Sequence, residues 1–579
     1  MNIYSNLAMR SLNQVKTINP IMYLAIRCFF EDFTESAVKN NLFTDFIKRK
    51  LQVRQHWSTK KNKLFKEKNA GKYIYRDTLS LSPFGIIAES YLMRIISQQF
   101  YFDDIDYVYS YNLPFRINST RNYNYYFDGY KKRNNDILNV LESDKDLIAV
   151  VLDLEKFYPS INIEIVKKLF FQKINSTSDN TTYELAKNLI SSILEQSLKG
   201  VPIGMDLSHL MAQVYLEELD YKLAEKFPKK YFRYVDDIII ICDKSDKESV
   251  IEFVRTNLPD RLNINEKKTD ELNFAEWSLL HQSHDMVEGN LNEVLNFITA
   301  YISMHPSKID SLEKDIKALG CSIPLSRIKK QAKSKSFISY IKSLLKNHRR
   351  YSMFEIYFAK NEYIVTQLIN LQKFYLIKLN KLLQLNYDNS SSAENRANTQ
   401  QLKYILNRLL YLSTIEDLSR IRDAIPLTEK FEDTLEVINA LVSKDLTNAI
   451  QYGGKVIQTI CELWIENEFD VIELNKEYFV RIENINDVLD SIIILYLYKI
   501  IKFDLIEILD FLNEYNKEYI YVVLDDKYVV QNKQNDFLLE IQGLLQGRDL
   551  ETKHNLLITR YDNDESIQLA GLNLGLTYS

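Results

Sequence analysis

Two adjacent carboxylates in the segment RYVDDIII stand between two apolar arms. Asp236 and Asp237 follow the arm that ends at Tyr234 and precede a run of isoleucines from Ile238 to Ile241. This pattern predicts a β-hairpin that holds the two acids at its turn. Adjacent like charges repel unless a cation neutralises them, so the pair indicates a divalent metal site. A solvated hairpin tip is the alternative interpretation of an acidic pair on its own.

A third carboxylate, Asp153, lies near the end of DLIAVVLDL, an apolar run with the length of a buried strand. An acid at the end of one core strand and a pair on a neighbouring hairpin can converge on two Mg²⁺ ions, which prefer hard oxygen ligands and bind a triphosphate. This is the layout of nucleotidyl transfer. One ion lowers the pKa of an attacking hydroxyl, and the other stabilises the leaving pyrophosphate.

Two further segments contain residue types that suit a nucleotide site. In KGVPIGMDLSHL, Gly200 and Gly204 predict a loop whose backbone can approach a flat partner, and Ser208 lies near the start of a helix. In LNINEKKTDEL, Lys267 and Lys268 follow a short predicted strand, where an ammonium could meet triphosphate charge. A plain turn and a solvated basic pair are the alternative interpretations.

Taken in chain order, DLEKFYPSI, GVPIGMDLS, YVDD and NEKKT resemble the palm motifs A to D of reverse transcriptases. The upstream segment YRDTLSLSPFGIIAESYLMRII resembles the first fingers motif, so the resemblance covers residues 70–275. It implies that Asp153, Asp236 and Asp237 are catalytic metal ligands for Mg²⁺, with Mn²⁺ as the alternative ion. It also implies that Lys268 assists the leaving pyrophosphate, with Lys267 as the alternative.

The same resemblance implies that Phe157, Tyr158, Gly204 and Ser208 bind substrate. Tyr158 matches the aromatic residue that lies under the sugar and excludes a 2′-OH. A ring that fills this space leaves no room for an extra oxygen, so dNTPs are the predicted substrates.

One position departs from the pattern of many template-copying enzymes. They have Gln where this chain has Ile203, which cannot hydrogen-bond to the incoming nucleotide and template. Together with a long helical C-terminal half, this departure resembles the abortive-infection and other defence-associated bacterial reverse transcriptases. That resemblance implies homo-oligomers and, in some members, DNA made without a template and primed on a protein tyrosine.

The predicted fold is α+β, a right-hand polymerase palm and fingers followed by an all-α domain. Residues 1–70 are predicted as a basic helical segment, 71–275 as fingers and palm, and 276–579 as helices, with HEAT-like repeats as one form. The polar stretch from Asn386 to Gln401 is the predicted exposed loop.

Composition agrees with a large globular protein. The 579 residues carry a net charge of −5, but residues 1–150 have 22 Lys and Arg against 15 Asp and Glu. This basic first quarter suits nucleic acid. No secretory signal or bilayer-spanning run is predicted, so we expect a cytoplasmic protein with no membrane partner.

The predicted function is therefore a DNA polymerase of antiphage defence that uses dNTPs and makes single-stranded DNA. A templated enzyme of the retron or group II type, with an RNA template, is the first alternative. A non-catalytic oligomeric sensor is the second, and the three acids argue against it. Arg548 and His554 also fit the loose Arg-x(4–6)-His pattern of HEPN ribonucleases, although chance spacing is the preferred explanation.

Overall fold

A computed structural model gives the architecture. It describes residues 3–15, 57–98, 106–175, 180–282, 291–325, 353–384, 392–425, 431–473 and 488–502, with short gaps inside several of these ranges, and the single residue Ile26. Arg548 and His554 lie outside the described residues.

The first part of the chain alternates helices with strands up to the first core strand. Its elements are α1 (Ile3–Val15), β1 (Thr59–Asn69), β2 (Lys72–Leu81), α2 (Pro83–Ile96), α3 (Tyr126–Ser143) and β3 (Leu147–Asp153). The next elements are α4 (Phe157–Ser160), α5 (Ile163–Asn175), α6 (Asn180–Glu195), α7 (Asp206–Lys226), β4 (Tyr231–Tyr234), β5 (Asp237–Asp243), α8 (Lys247–Asn257), β6 (Asp270–Leu272) and α9 (Phe274–Gln282).

The central sheet has four strands in the order β4-β5-β3-β6, and all neighbours are antiparallel. β4 and β5 form the hairpin that the sequence predicts. Side chains of β3 alternate between two faces of the sheet. Ile148, Val150 and Leu152 face a core formed with α5, α6, α7 and α8. Leu147 and Ala149 face a second core.

This second core covers the opposite face of the sheet. Ile137 of α3, Trp277 of α9 and Ala397 of the C-terminal helices pack there against strand residues such as Ile239 and Ile241. The sheet is therefore buried on both faces, which explains why its strands read as nearly continuous apolar runs.

Residues 59–69 correct the prediction that residues 1–70 are helical. They form β1, which pairs antiparallel with β2, with Phe65 opposite Tyr75. The lysines of β1 follow no strict alternation, since Lys60 and Lys61 are adjacent and the register shifts between Phe65 and Glu67, so the sequence lacks the period-two pattern that indicates a strand. The partner strand follows immediately, so a single turn at Gly71 (φ 79°) closes the hairpin.

The C-terminal part is mainly helical and has its own core. Its helices are α10 (Leu291–Met304), α11 (Ile309–Ala318), α12 (Met353–Phe358), α13 (Asn361–Leu383), α14 (Ser392–Leu412), α15 (Ile415–Ala424), α16 (Glu432–Ser443) and α17 (Gly454–Glu466). None of the described helices is long and apolar enough to cross a membrane.

Two details differ from the prediction of an all-α domain with a polar loop. The two-residue strands β7 (Ile472–Glu473) and β8 (Ile501–Lys502) form a parallel pair, whose partners are too far apart in sequence for a local pattern to reveal. Residues 392–401, predicted as loop, belong to α14. This helix buries apolar residues of its second half, including Leu402, Ile405 and Leu409, at helical spacing.

Candidate active site

Asp153 and Asp237 lie directly opposite each other at the ends of two paired strands. In the register of β3 and β5, Asp153 pairs with Asp237, and Val151 pairs with Ile239. Directly paired residues in a sheet point to the same face. The apolar strand cores therefore bring two carboxylates to one edge of the sheet, as the sequence predicts.

Asp236 lies in the turn between β4 and β5, next to a strained residue. Val235 has φ 59°, a left-handed conformation that is costly for a β-branched residue. Both backbone polar groups of Val235 form hydrogen bonds. Its N–H donates to Ser110 Oγ at 2.8 Å, and its carbonyl accepts a hydrogen bond from Arg233 Nη1 at 3.0 Å. The turn is thus fixed from two sides.

Arg233 is itself held by a buried ion pair. Its Nε donates to Asp220 Oδ1 at 2.7 Å and its Nη2 to Asp220 Oδ2 at 2.5 Å, and Tyr231 also donates to that carboxylate. Both charged side chains are almost fully buried. Asp220 lies on α7, so this bidentate pair connects the central helix to the acidic turn.

Burial and mutual repulsion set the electrostatics of the acids. Burial, together with the nearby charges of Asp237 and Asp153, raises the pKa of Asp236 to about 6. Burial also raises the pKa of Asp237, while the Arg133 guanidinium acts in the opposite direction. The clustered negative charge favours a cation at this edge of the sheet.

Two protein cations already contact these carboxylates. Lys268 Nζ lies 3.0 Å from Asp153 Oδ1, and Asn265 Nδ2 donates to Asp153 Oδ2 at 3.0 Å. Arg133 Nη1 lies 3.7 Å from Asp237 Oδ2. Lys268, predicted to meet the leaving pyrophosphate, is therefore placed beside the acids, whereas no described contact brings Lys267 to them.

The three acids suit a divalent metal in kind, since they are hard oxygen donors that converge on one strand edge. Within the described ranges, however, no group of three His, Cys, Asp or Glu side chains is arranged closely enough to hold a metal ion. The predicted ligand roles of Asp153, Asp236 and Asp237 stay predictions.

Tyr158 is anchored by a histidine that the sequence does not reveal as a partner. Its hydroxyl lies 2.5 Å from His209 Nδ1, and the imidazole stacks on Tyr111 with ring centroids 3.8 Å apart. Burial lowers the pKa of His209 to about 3, so the imidazole is neutral and its Nδ1 can accept a hydrogen bond from the Tyr158 hydroxyl. Phe157, by contrast, is a buried core residue.

The glycine loop contacts both Tyr158 and the β1–β2 hairpin. Gly200 and Gly204 have φ 55° and 111°, and a Cβ atom at either would lie within 2.7 Å of a backbone oxygen, of Tyr158 or of Leu79 respectively. Val201 N–H donates to Tyr158 O at 2.9 Å. Glycine is therefore required at both positions for close backbone approach.

Ser208 lies in the first turn of α7 and is fully buried. Its hydroxyl has no hydrogen-bond partner among the described residues. The role of Ser208 in binding substrate stays a prediction.

Residues 96–323 match the family model described as Reverse transcriptase (RNA-dependent DNA polymerase). The chain contains a reverse transcriptase domain. The match indicates a nucleotidyltransferase, an RNA-directed DNA polymerase, and the four-stranded sheet with its acidic edge is the palm of this domain. Enzymes with a reverse transcriptase domain take nucleotides as substrates, copy a nucleic-acid template and generally use divalent metals such as Mg²⁺.

Among solved structures, the chain is similar to the structure of apo telomerase from Candida Tropicalis. The two are 12% identical with a TM-score of 0.26, over 84% of this chain and 73% of that one. A search of the curated proteins finds no match.

Proposed function

We propose that the protein is a DNA polymerase of antiphage defence that adds dNTPs with two Mg²⁺ ions, acts without a template and starts synthesis on a protein tyrosine. The observation that carries the polymerase proposal is the pairing of Asp153 with Asp237 across two core strands, with Asp236 in the clamped turn beside them. Bound divalent metal would supply an activated hydroxyl and charge neutralisation at the leaving pyrophosphate.

The chain's own residues then have distinct tasks. Asp153 and Asp236 would hold cations, and the ammonium of Lys268, 64% exposed and able to leave Asp153, would meet the leaving pyrophosphate. The ring of Tyr158, held by His209, would fill the space of a 2′-OH and so select dNTPs. Gly204 would let the loop backbone approach the nucleotide.

Two observations support synthesis without a template. Ile203 lacks the side-chain amide that supports a templated base pair. In addition, the palm face that carries Asp153 and Asp237 is covered from Leu147 to Ala149 by α3, α9 and α14. These helices limit the length of free palm surface beside the acids. A short free surface suits single-stranded DNA better than a long DNA duplex.

The remaining proposals rest on the resemblance of the motifs and of the helical C-terminal part. They are a cytoplasmic role in abortive infection, a homo-oligomer and HEAT-like pairing of the C-terminal helices. The division into residues 1–70, 71–275 and 276–579 also stays a proposal. The match to RNA-directed polymerases favours a second candidate, a templated enzyme of the retron or group II type.

One assay separates these candidates. Purified full-length protein is incubated with labelled dNTPs and Mg²⁺, with and without an annealed RNA template and primer, and half of each reaction is treated with protease. Product without template whose mobility changes on protease treatment supports the proposal. Product only with template and primer supports the second candidate. No incorporation in any reaction overturns both and favours a non-catalytic sensor.

A further inference from the structure

Arg133, on α3, is a buried cation beside the acidic edge of the palm. Its side chain is 3% exposed, and its Nη1 lies 3.7 Å from Asp237 Oδ2. This nitrogen is buried and makes no hydrogen bond within the described part of the chain. A buried guanidinium nitrogen without a partner is costly, so the nearby carboxylate supplies the charge that compensates it.

The rest of the Arg133 side chain is fixed in place. Its Nε and Nη2 donate to Asn134 Oδ1 at 3.1 and 3.0 Å. The guanidinium also lies over the rings of Tyr130 and Tyr234, at 4.8 and 5.2 Å from their centroids. With these contacts on several sides, the guanidinium cannot move away without losing hydrogen bonds and stacking.

The cation beside Asp153 is different. Lys268, which contacts Asp153, is 64% exposed, and its flexible ammonium can return to water at little cost. Two carboxylates that face each other across β3 and β5 therefore have unequal counter-ions, one exchangeable and one fixed.

We propose that Arg133 is a positioning residue that acts as a permanent internal counter-ion for Asp237, leaving Asp153 and Asp236 to bind the exchangeable cation. This inference rests on the proposed metal-dependent function. It assigns the two adjacent acids different tasks, since Asp236 binds metal and Asp237 pairs with Arg133 of α3.

Metal binding without substrate tests the proposal. Mn²⁺ affinity is measured by electron paramagnetic resonance on the full chain, without dNTP, for the wild type and for Arg133→Met, Asp237→Asn and their double variant. Arg133→Met should tighten Mn²⁺ binding about tenfold, and Asp237→Asn should weaken it by a similar factor through the lost charge. The double variant removes a neutral pair and should bind within about threefold of wild type. Lys132→Met, an exposed neighbour on α3, serves as a control that should leave affinity unchanged.

A double variant that binds as weakly as Asp237→Asn would show that Asp237 is itself a ligand, and it would overturn the proposal. So would an Arg133→Met variant with unchanged Mn²⁺ affinity. Arg133→Lys keeps the charge and should stay close to wild type, which guards against misfolding of the methionine variant.

Thermal unfolding in metal-free buffer separates this inference from the proposed function. Each single variant should melt below wild type, and the loss in the double variant should be smaller than the sum of the two single losses, whether or not the protein binds metal. Absence of Mn²⁺ binding by the wild type would overturn the metal-dependent function alone. Additive losses in the thermal cycle would overturn the Arg133 pairing alone.

Discussion

Tyr158 shows how one side chain can set substrate choice through its neighbours. Its hydroxyl is bonded to a neutral, buried His209, and its backbone carbonyl accepts a hydrogen bond from Val201. The ring is therefore held from both ends. A rigid ring is a better filter for a 2′-OH than a mobile one, because selection depends on the cost of displacing it.

Replacing Tyr158 with valine should open the space under the sugar. We expect the preference for dNTPs over NTPs, measured as the ratio of kcat/KM values, to fall by about a hundredfold. Tyr158→Phe is the matched control, since it keeps the ring and loses only the bond to His209, and it should retain most of the preference. Equal discrimination by Tyr158→Val and wild type would mean that this ring does not contact the sugar.

At the scale of elements, the acidic turn depends on an ion pair between β4 and α7. Asp220→Asn would leave the buried Arg233 guanidinium without its carboxylate. We expect a loss of about 3–5 kcal/mol in the free energy of unfolding, measured by urea denaturation. Glu218→Gln removes an exposed pair with Lys222 on the same helix and should cost less than about 1 kcal/mol. A similar loss of unfolding free energy in the two variants would contradict a stabilising role for the Asp220–Arg233 pair.

A buried carboxyl on α2 contacts both α1 and α7 and makes stability depend on pH. Glu89 of α2 accepts hydrogen bonds from Leu207 N–H of α7 at 2.8 Å and from Gln14 of α1. Burial, together with the charge of Asp206, raises the pKa of Glu89 to about 8. Burial also raises the pKa of Asp206 to about 6, while the hydrogen bond from Asn122 and the charge of Arg10 on α1 act in the opposite direction.

Because the folded state holds a proton that the unfolded state releases above its ordinary pKa, stability should fall as the pH rises between about 4.5 and 8. The slope should be up to about 1.4 kcal/mol per pH unit. Urea unfolding at several pH values measures it. Glu89→Gln should flatten the profile across this window, and an unchanged slope would show that another group is responsible.

Local sequence patterns predict the elements that carry the acids and the helix that follows the glycine loop. The β4–β5 hairpin, the strand that ends at Asp153 and the long helix after Gly204 follow from apolar runs, a turn and helical periodicity. Arg133, Asn265 and His209 could not be predicted as partners of the acids or of Tyr158. They lie between 51 and 112 residues from the groups they contact, and no spacing rule connects them. The sequence does not predict the β1–β2 hairpin, because a lysine-rich strand resembles a solvated helix face.

At the scale of the whole molecule, the β1–β2 hairpin contacts the C-terminal part. Phe65 and Tyr73 pack on Tyr452 with ring centroids 5.0 and 5.3 Å apart, and Tyr75 donates to Gln451 O at 2.9 Å. At its other end, the hairpin reaches the glycine loop, where Leu79 N–H donates to Ile203 O. The C-terminal part therefore contacts an element that reaches the active site.

Tyr452→Ala should loosen this contact. We expect amide hydrogen exchange in residues 59–81 to become at least about tenfold faster, while exchange in α7 stays unchanged. Tyr498→Ala, at a 42% exposed ring in the same part of the chain, is the control and should not alter the hairpin. Unchanged exchange in Tyr452→Ala would show that the hairpin is stable without the C-terminal part.

The central claim is that the acidic edge of the palm is the polymerase centre, and one pair of variants tests it most directly. Asp236→Asn changes an acid at the turn, and Asp243→Asn makes the same change at the far, exposed end of β5. Incorporation of labelled dNTPs by the purified protein should fall by about three orders of magnitude or more in Asp236→Asn and stay near wild type in Asp243→Asn. Activity within tenfold of wild type in Asp236→Asn would contradict the account.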